Sequence, residues 1–134
     1  MTLQAVTFDF WQTLAGEPAQ PVLHPKRVTL WDEILRGTHS RERIDEVLRG
    51  VGRHRERLWR EGEQFGAAQA AAIAAAELDP DIDGVTERAL VEAFVDSGEG
   101  IELELTPGIE EALRELDEAG LRLGIICDVG FTSG

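Results

Sequence analysis

The sequence predicts an α/β fold in which a small parallel sheet carries an inserted α-helical cap. Three observations predict it. Two short apolar segments, LQAVTFD at residues 3–9 and LRLGIICD at 121–128, each finish on an acid, Asp9 and Asp128. A helical pattern directly precedes the second segment, as in a unit whose strands run parallel. Between the two, from about 26 to 97, the pattern is helical almost throughout, which is too much for one crossover and so reads as an insertion.

The elements follow in order. In the first segment β-branched Val6 and Thr7 suit a buried parallel strand. Gly16, Pro18, Pro21 and Pro25 break regular structure, so residues 10–25 are expected to form a loop. Four helical stretches come next: HPKRVTLWDEILRG, a long one from Ser40, the alanine-rich AAQAAAIAAAEL and GVTERALVEAFVDSG. The alanine-rich stretch combines high helix propensity with small side chains, which suits close packing among neighbours. IELELTP alternates Ile101, Leu103 and Leu105 with Glu102 and Glu104, the pattern of a short extended return. Thr106 is expected to cap the next helix with Pro107 in its first turn. In that helix Ile109, Ala112, Leu113 and Leu116 form one apolar stripe, Glu110 precedes Arg114 by four residues, and Gly120 suits a left-handed end. LRLGIICD then reads as a second buried strand. A partial α/β core at 1–15 and 101–134 with a helical cap at 16–100 is the expected domain plan. Ligands of open parallel sheets lie just beyond the carboxyl ends of the strands, where Asp9 would meet Cys127 and Asp128.

Charge limits the partners. The net charge is −13, and residues 77 to 118 hold 15 acids against Arg88 and Arg114, while the remainder balances 11 acids with 11 bases. Such a surface repels phosphate backbones and anionic bilayers, so neither nucleic acid nor membrane is an expected partner. Seven of the 13 basic residues fall between Arg41 and Arg60, and Arg49, Arg53 and Arg57 follow one another at four-residue spacing on one helix face. They could collect an anionic substrate or form an ordinary solvated face. One cysteine, Cys127, excludes an internal disulfide, and no secretory signal or membrane-length apolar run is visible, so a cytoplasmic location is expected.

The stretch VTFDFWQTLAG resembles the first motif of the haloacid dehalogenase (HAD) superfamily, an apolar strand followed by Asp-x-x-x-Thr-Leu. TPGIEEALRELDEAGLRLGIICDVG resembles the approach to its second motif, and the helical insertion lies where that superfamily places its cap. The resemblance implies a HAD-like Rossmannoid sheet, present in part, and a hydrolase acting on a small anionic substrate, phosphorylated or halogenated. It implies Asp9 as the nucleophile, Thr13 supporting the loop, and Cys127 and Asp128 at the substrate, where the family more often has a hydroxyl and an amide. For a phosphatase it also implies Mg²⁺ beside Asp9, held in part by the backbone carbonyl of Trp11; a dehalogenase needs no metal.

Trp11 is the main departure. Phosphatases of the superfamily carry an acid there to protonate the leaving oxygen and then activate water, and an indole can do neither. Dehalogenases place an aromatic residue there, and a halide departs without a proton. The third-motif lysine and fourth-motif acid have no counterparts, since the single lysine is Lys26. Because two parallel strands make a poor sheet, a missing C-terminal segment or pairing with another copy is expected. The alternative reading is a noncatalytic acidic helical interaction module, or a remnant that has lost its catalytic half.

Other signals read as structural. DPDIDG at 79–84 starts like a calcium loop, but the twelfth position, where a bidentate acid is required, is Leu90, so an acidic turn is expected. His24, His39 and His54 lack metal-ligand spacing and read as surface groups. No phosphate-binding glycine-lysine loop or dinucleotide fingerprint occurs.

Overall fold

The computed structural model describes residues 3–18, 21–63 and 65–127. It is mixed α/β and divides into two compact units, one running to Pro21 and resuming at Ile101, the other spanning Val22 to Gly100. No helix among the described residues is long and apolar enough to cross a membrane.

The helical unit contains α1 (Leu23–Leu35), α2 (Arg41–Arg60), α3 (Ala67–Leu78) and α4 (Gly84–Asp96). Each helix packs on the next and α4 returns to α1, which closes a four-membered ring. Apolar residues at helical spacing fill its centre: Val28, Trp31 and Leu35 from α1, Ile44, Val47, Leu48 and Val51 from α2, and Leu90 and Phe94 from α4. A Val, Leu, Ile or Phe side chain taken fully out of water contributes about 1.5–3 kcal/mol. In α3 the alanines 70, 71, 74 and 75 are all buried, as the alanine-rich pattern predicts, because a methyl group lets a neighbouring helix approach closely.

Polar groups inside this unit are matched. The Trp31 indole N–H donates to the Leu90 carbonyl at 3.0 Å. Buried Arg27 donates from Nε to Ser97 Oγ at 2.8 Å, Ser97 Oγ donates to the Phe94 carbonyl at 2.6 Å, and the guanidinium lies 3.7 Å from the centre of the Phe94 ring. These bonds matter because an orphaned buried donor costs about 1–3 kcal/mol. Asp83 caps α4, accepting from the backbone of Val85 and Thr86 and from the Thr86 hydroxyl, while Asp79 accepts from the Asp81 N–H. The acidic turn therefore has a capping role that explains its aspartates locally.

The strand unit holds β1 (Ala5–Asp9), β2 (Ala15–Gly16), β3 (Glu104–Leu105), α5 (Ile109–Glu118) and β4 (Arg122–Ile126). β1 and β4 pair in parallel, from Ala5 opposite Arg122 to Asp9 opposite Ile126. β2 pairs antiparallel with β3, so the expected loop at 10–25 contains a short strand and α1 starts inside it. The extended return at 101–105 narrows to the two residues of β3.

Two expectations need correction here. The strands are not buried: none of the side chains of β1 or β4 is buried, and Ile125 and Ile126 are 60% and 67% exposed. A two-stranded sheet offers each strand one neighbour, so apolar content alone cannot enclose it. Thr106 does not cap α5; Gly108, at φ 80°, occupies that position without a side-chain bond, while the Thr106 carbonyl accepts from Ile109 N–H. Along α5, Ile109, Leu113 and Leu116 are half-buried and Ala112 is exposed, so the stripe is narrower than its sequence. Gly120 is left-handed at φ 77°, and the Leu121 N–H bonds back to the Leu116 carbonyl, a glycine-terminated helix end as expected.

Candidate active site at the strand ends

Asp9 is the last residue of β1 and is exposed. Parallel pairing aligns the carboxyl ends of both strands, so Cys127 leaves β4 one residue beyond the partner of Asp9 and is also exposed. Asp128 lies outside the described residues.

The chain turns sharply after Asp9. The Phe10 carbonyl accepts from the N–H of Leu14 at 2.9 Å and of Ala15 at 3.2 Å, and the Gln12 N–H donates to the Ala15 carbonyl at 2.8 Å. This curl requires a left-handed residue, and Gln12 takes that role at φ 58°, an uncommon conformation for a residue with a Cβ. Trp11 is half-buried and its indole meets the Phe10 ring edge-on, with centroids 5.6 Å apart. Leu14 and Ala15 are buried, and the Leu14 carbonyl accepts from Thr106 N–H at 3.0 Å. The apolar residues after Asp9 thus anchor a tight loop.

That loop carries Thr13 back towards the carboxylate. Its hydroxyl donates to Asp9 Oδ2 at 3.5 Å, a long bond at the limit of useful geometry. The structure therefore brings together Asp9 and Thr13 by contact and Cys127 by strand register. No described group of three or more His, Cys, Asp or Glu side chains could hold a metal ion. Asp9 and the Trp11 carbonyl are hard oxygen donors of the kind Mg²⁺ accepts, and that ion commonly binds through one or two carboxylates while keeping several waters.

A second polar cluster lies in the helical unit. His24 Nε2 is 2.7 Å from Asp45 Oδ1, and Arg49 Nε donates to Asp45 Oδ2 at 2.7 Å. The hydrogen bond and charge of Arg49, then those of His24, hold the Asp45 carboxyl at about 2, below its ordinary 3.8. A cleft of about 360 Å³ beside it is lined by His24, Val28, Arg41, Asp45 and Arg49 among others. The Asp45–Arg49 pair is legible as an i,i+4 spacing; His24 is not, because only helix packing brings it there. His24, His39 and His54 are half-buried at the surface, and each faces a carboxylate, Asp45 at 2.7 Å, Asp79 at 3.9 Å and Glu77 at 3.7 Å.

No family model and no curated protein matches the chain.

Proposed function

We propose that the chain is a HAD-like hydrolase in which Asp9 is the nucleophile towards a small phosphorylated or halogenated anion. One observation supports this reading above the others: an exposed carboxylate at the carboxyl end of β1, followed by a tight turn and level with the end of a parallel neighbour. One Asp9 oxygen attacks the electrophilic phosphorus or carbon. The bond to the leaving oxygen or halide breaks, giving an acyl phosphate or an ester, and water then attacks the Asp9 carboxyl carbon to regenerate the acid. Thr13 steadies the carboxylate by its hydroxyl, and Cys127 offers a weak S–H donor at the neighbouring strand end. For phosphoryl transfer, Asp9 and the Trp11 carbonyl would hold Mg²⁺, which supplies charge neutralisation at the phosphate.

Trp11 cannot protonate a leaving group, so substrates whose leaving group is stable as an anion are favoured. Asp9→Asn should abolish turnover of an aryl phosphate or a 2-haloacid, and an alkyl phosphate should be much the slowest substrate of the intact chain. Equal rates for Asp9→Asn and the parent protein would overturn the assignment.

A second reading, a noncatalytic acidic helical module, is favoured by the contrast between a filled helical core and the paired strands β1 and β4, which bury no side chain. Absence of turnover across both substrate classes, with the helical unit fully folded, is its expected result.

A further inference from the structure

We propose that the open edge of β4 takes up a basic, apolar segment of a partner protein as an added strand. The backbone defines the edge. Arg122 N–H donates to the Gln4 carbonyl at 3.1 Å and Arg122 stands opposite Ala5 in the parallel register, so the N–H and C=O groups of Arg122, Gly124 and Ile126 turn towards β1. Those of Leu123 and Ile125 therefore turn away from it. β4 has β1 as its one neighbour among the described residues, which leaves these groups as a template for a further strand.

The side chains favour this edge over the opposite one. Leu123 and Ile125 stand opposite Val6 and Phe8, which puts four apolar residues on one face, and Leu123 and Ile125 are 39% and 60% exposed. An added strand would continue that row. On the outer edge of β1 the corresponding residues are Ala5, Thr7 and Asp9, which offer little apolar surface. β4 is also unguarded, because its sequence RLGII contains no proline or lysine, and Arg122 falls on the other face from Leu123 and Ile125. In strand addition the main chain supplies affinity and alternate side chains supply selectivity.

Charge decides the occupant. Residues 3–18 and 101–127 carry nine acids against Arg114 and Arg122. With Glu17 set aside, since it has an interaction of its own, eight acids remain, all exposed and none in an ion pair among the described residues. The helical unit does not reverse the sign, because residues 22–100 hold 16 acids and 11 bases. A second copy would bring another net charge of −13 and be repelled, whereas a segment alternating lysine or arginine with apolar residues matches both the charge and the apolar row.

The test uses the full chain and a blocked peptide of alternating valine and lysine, with valine–glutamate and lysine–serine peptides of equal length as controls. Backbone NMR and amide exchange are the readouts. Saturable shifts and slowed exchange at Leu123 and Ile125 are expected with the valine–lysine peptide alone, and binding should weaken in about 1 M salt, where the screening length is about 3 Å. Ile125→Lys and, separately, Leu123→Lys should each weaken binding about tenfold, a loss of about 1.4 kcal/mol. Unchanged β1 amide shifts and circular dichroism establish that each variant keeps its sheet. Equal binding of either control peptide, or full affinity in both lysine variants, would overturn the proposal. So would slow exchange at Leu123 and Ile125 in the free chain: dependence on protein concentration would assign the edge to a second copy, and independence to the chain itself.

Discussion

The helical unit and the strand unit solve the burial problem to different degrees. Four helices close a ring around Trp31, Ile44, Val47 and Leu90, all fully enclosed. The strand unit has comparably apolar segments, yet its buried residues among those described are Leu14 and Ala15 in the loop and β2, and Leu123, Ile125 and Ile126 remain exposed. The difference lies in how each element is satisfied. A helix completes its own backbone hydrogen bonds and needs only one covered stripe, whereas a parallel strand needs neighbours on both edges and layers on both faces.

The sharpest way to break this comparison is to shorten a large side chain in each unit. Trp31→Ala should cost about 3–5 kcal/mol and Ile44→Ala about 2–5 kcal/mol, whereas Ile126→Ala should stay within about 0.5 kcal/mol. Chemical unfolding followed by circular dichroism measures all three. A cost for Ile126→Ala equal to that of Ile44→Ala would show that the strands are covered in solution.

A smaller effect concerns the α1–α2 junction. Asp45 is held at about 2 in the folded protein against an ordinary 3.8, so the unfolded chain binds its proton first as pH falls. Its contribution to stability is present above about pH 4 and disappears as the pH falls through about 2. The melting temperature of Asp45→Asn should therefore fall less than that of the parent between pH 4 and pH 2. Identical pH profiles would remove Asp45 from the account.

The smallest effect is expected at Asp83, whose carboxyl is held below the usual range, first by the Thr86 hydroxyl and then by the backbone N–H groups of Thr86 and Val85. Asp83→Ala should lower the melting temperature slightly and fray the first turn of α4 alone. Amide exchange at Val85 and Thr86 is the direct readout.

Local chemistry was the legible part of this fold. Alanine spacing announces the close packing of α3, Gly120 announces the end of α5, and the acid ending an apolar run announces the tip of β1. What escaped depended on neighbours distant in sequence. His24 meets Asp45 only when α1 packs on α2, Arg27 finds Ser97 only when α4 closes the ring, and strand burial requires strands the alternation of one segment cannot supply. Gly108 displaced Thr106 as the cap because the turn there calls for a left-handed residue, a choice made by φ and not by side-chain chemistry. At the candidate site Asp9 and Thr13 stood out in the sequence through the motif that VTFDFWQTLAG resembles, whereas the left-handed Gln12 in the turn between them did not.

The closure of α4 onto α1 also bears on the order of events when the chain folds. Lys26 Nζ donates to the Glu99 carbonyl at 2.8 Å, and Arg27 reaches Ser97, so the first turn of α1 and the end of α4 are tied together. Without that tie, pairing β1 with β4 would close a loop of roughly a hundred residues, a slow search for a non-local contact. Once the helices have condensed, the chain left to close is the two arms flanking them, roughly a third of that length. At about 0.6 kcal/mol per doubling, this eases closure by about 1 kcal/mol. The helices can thus serve as a splint, formed early from local contacts, that delivers the two strands to each other last.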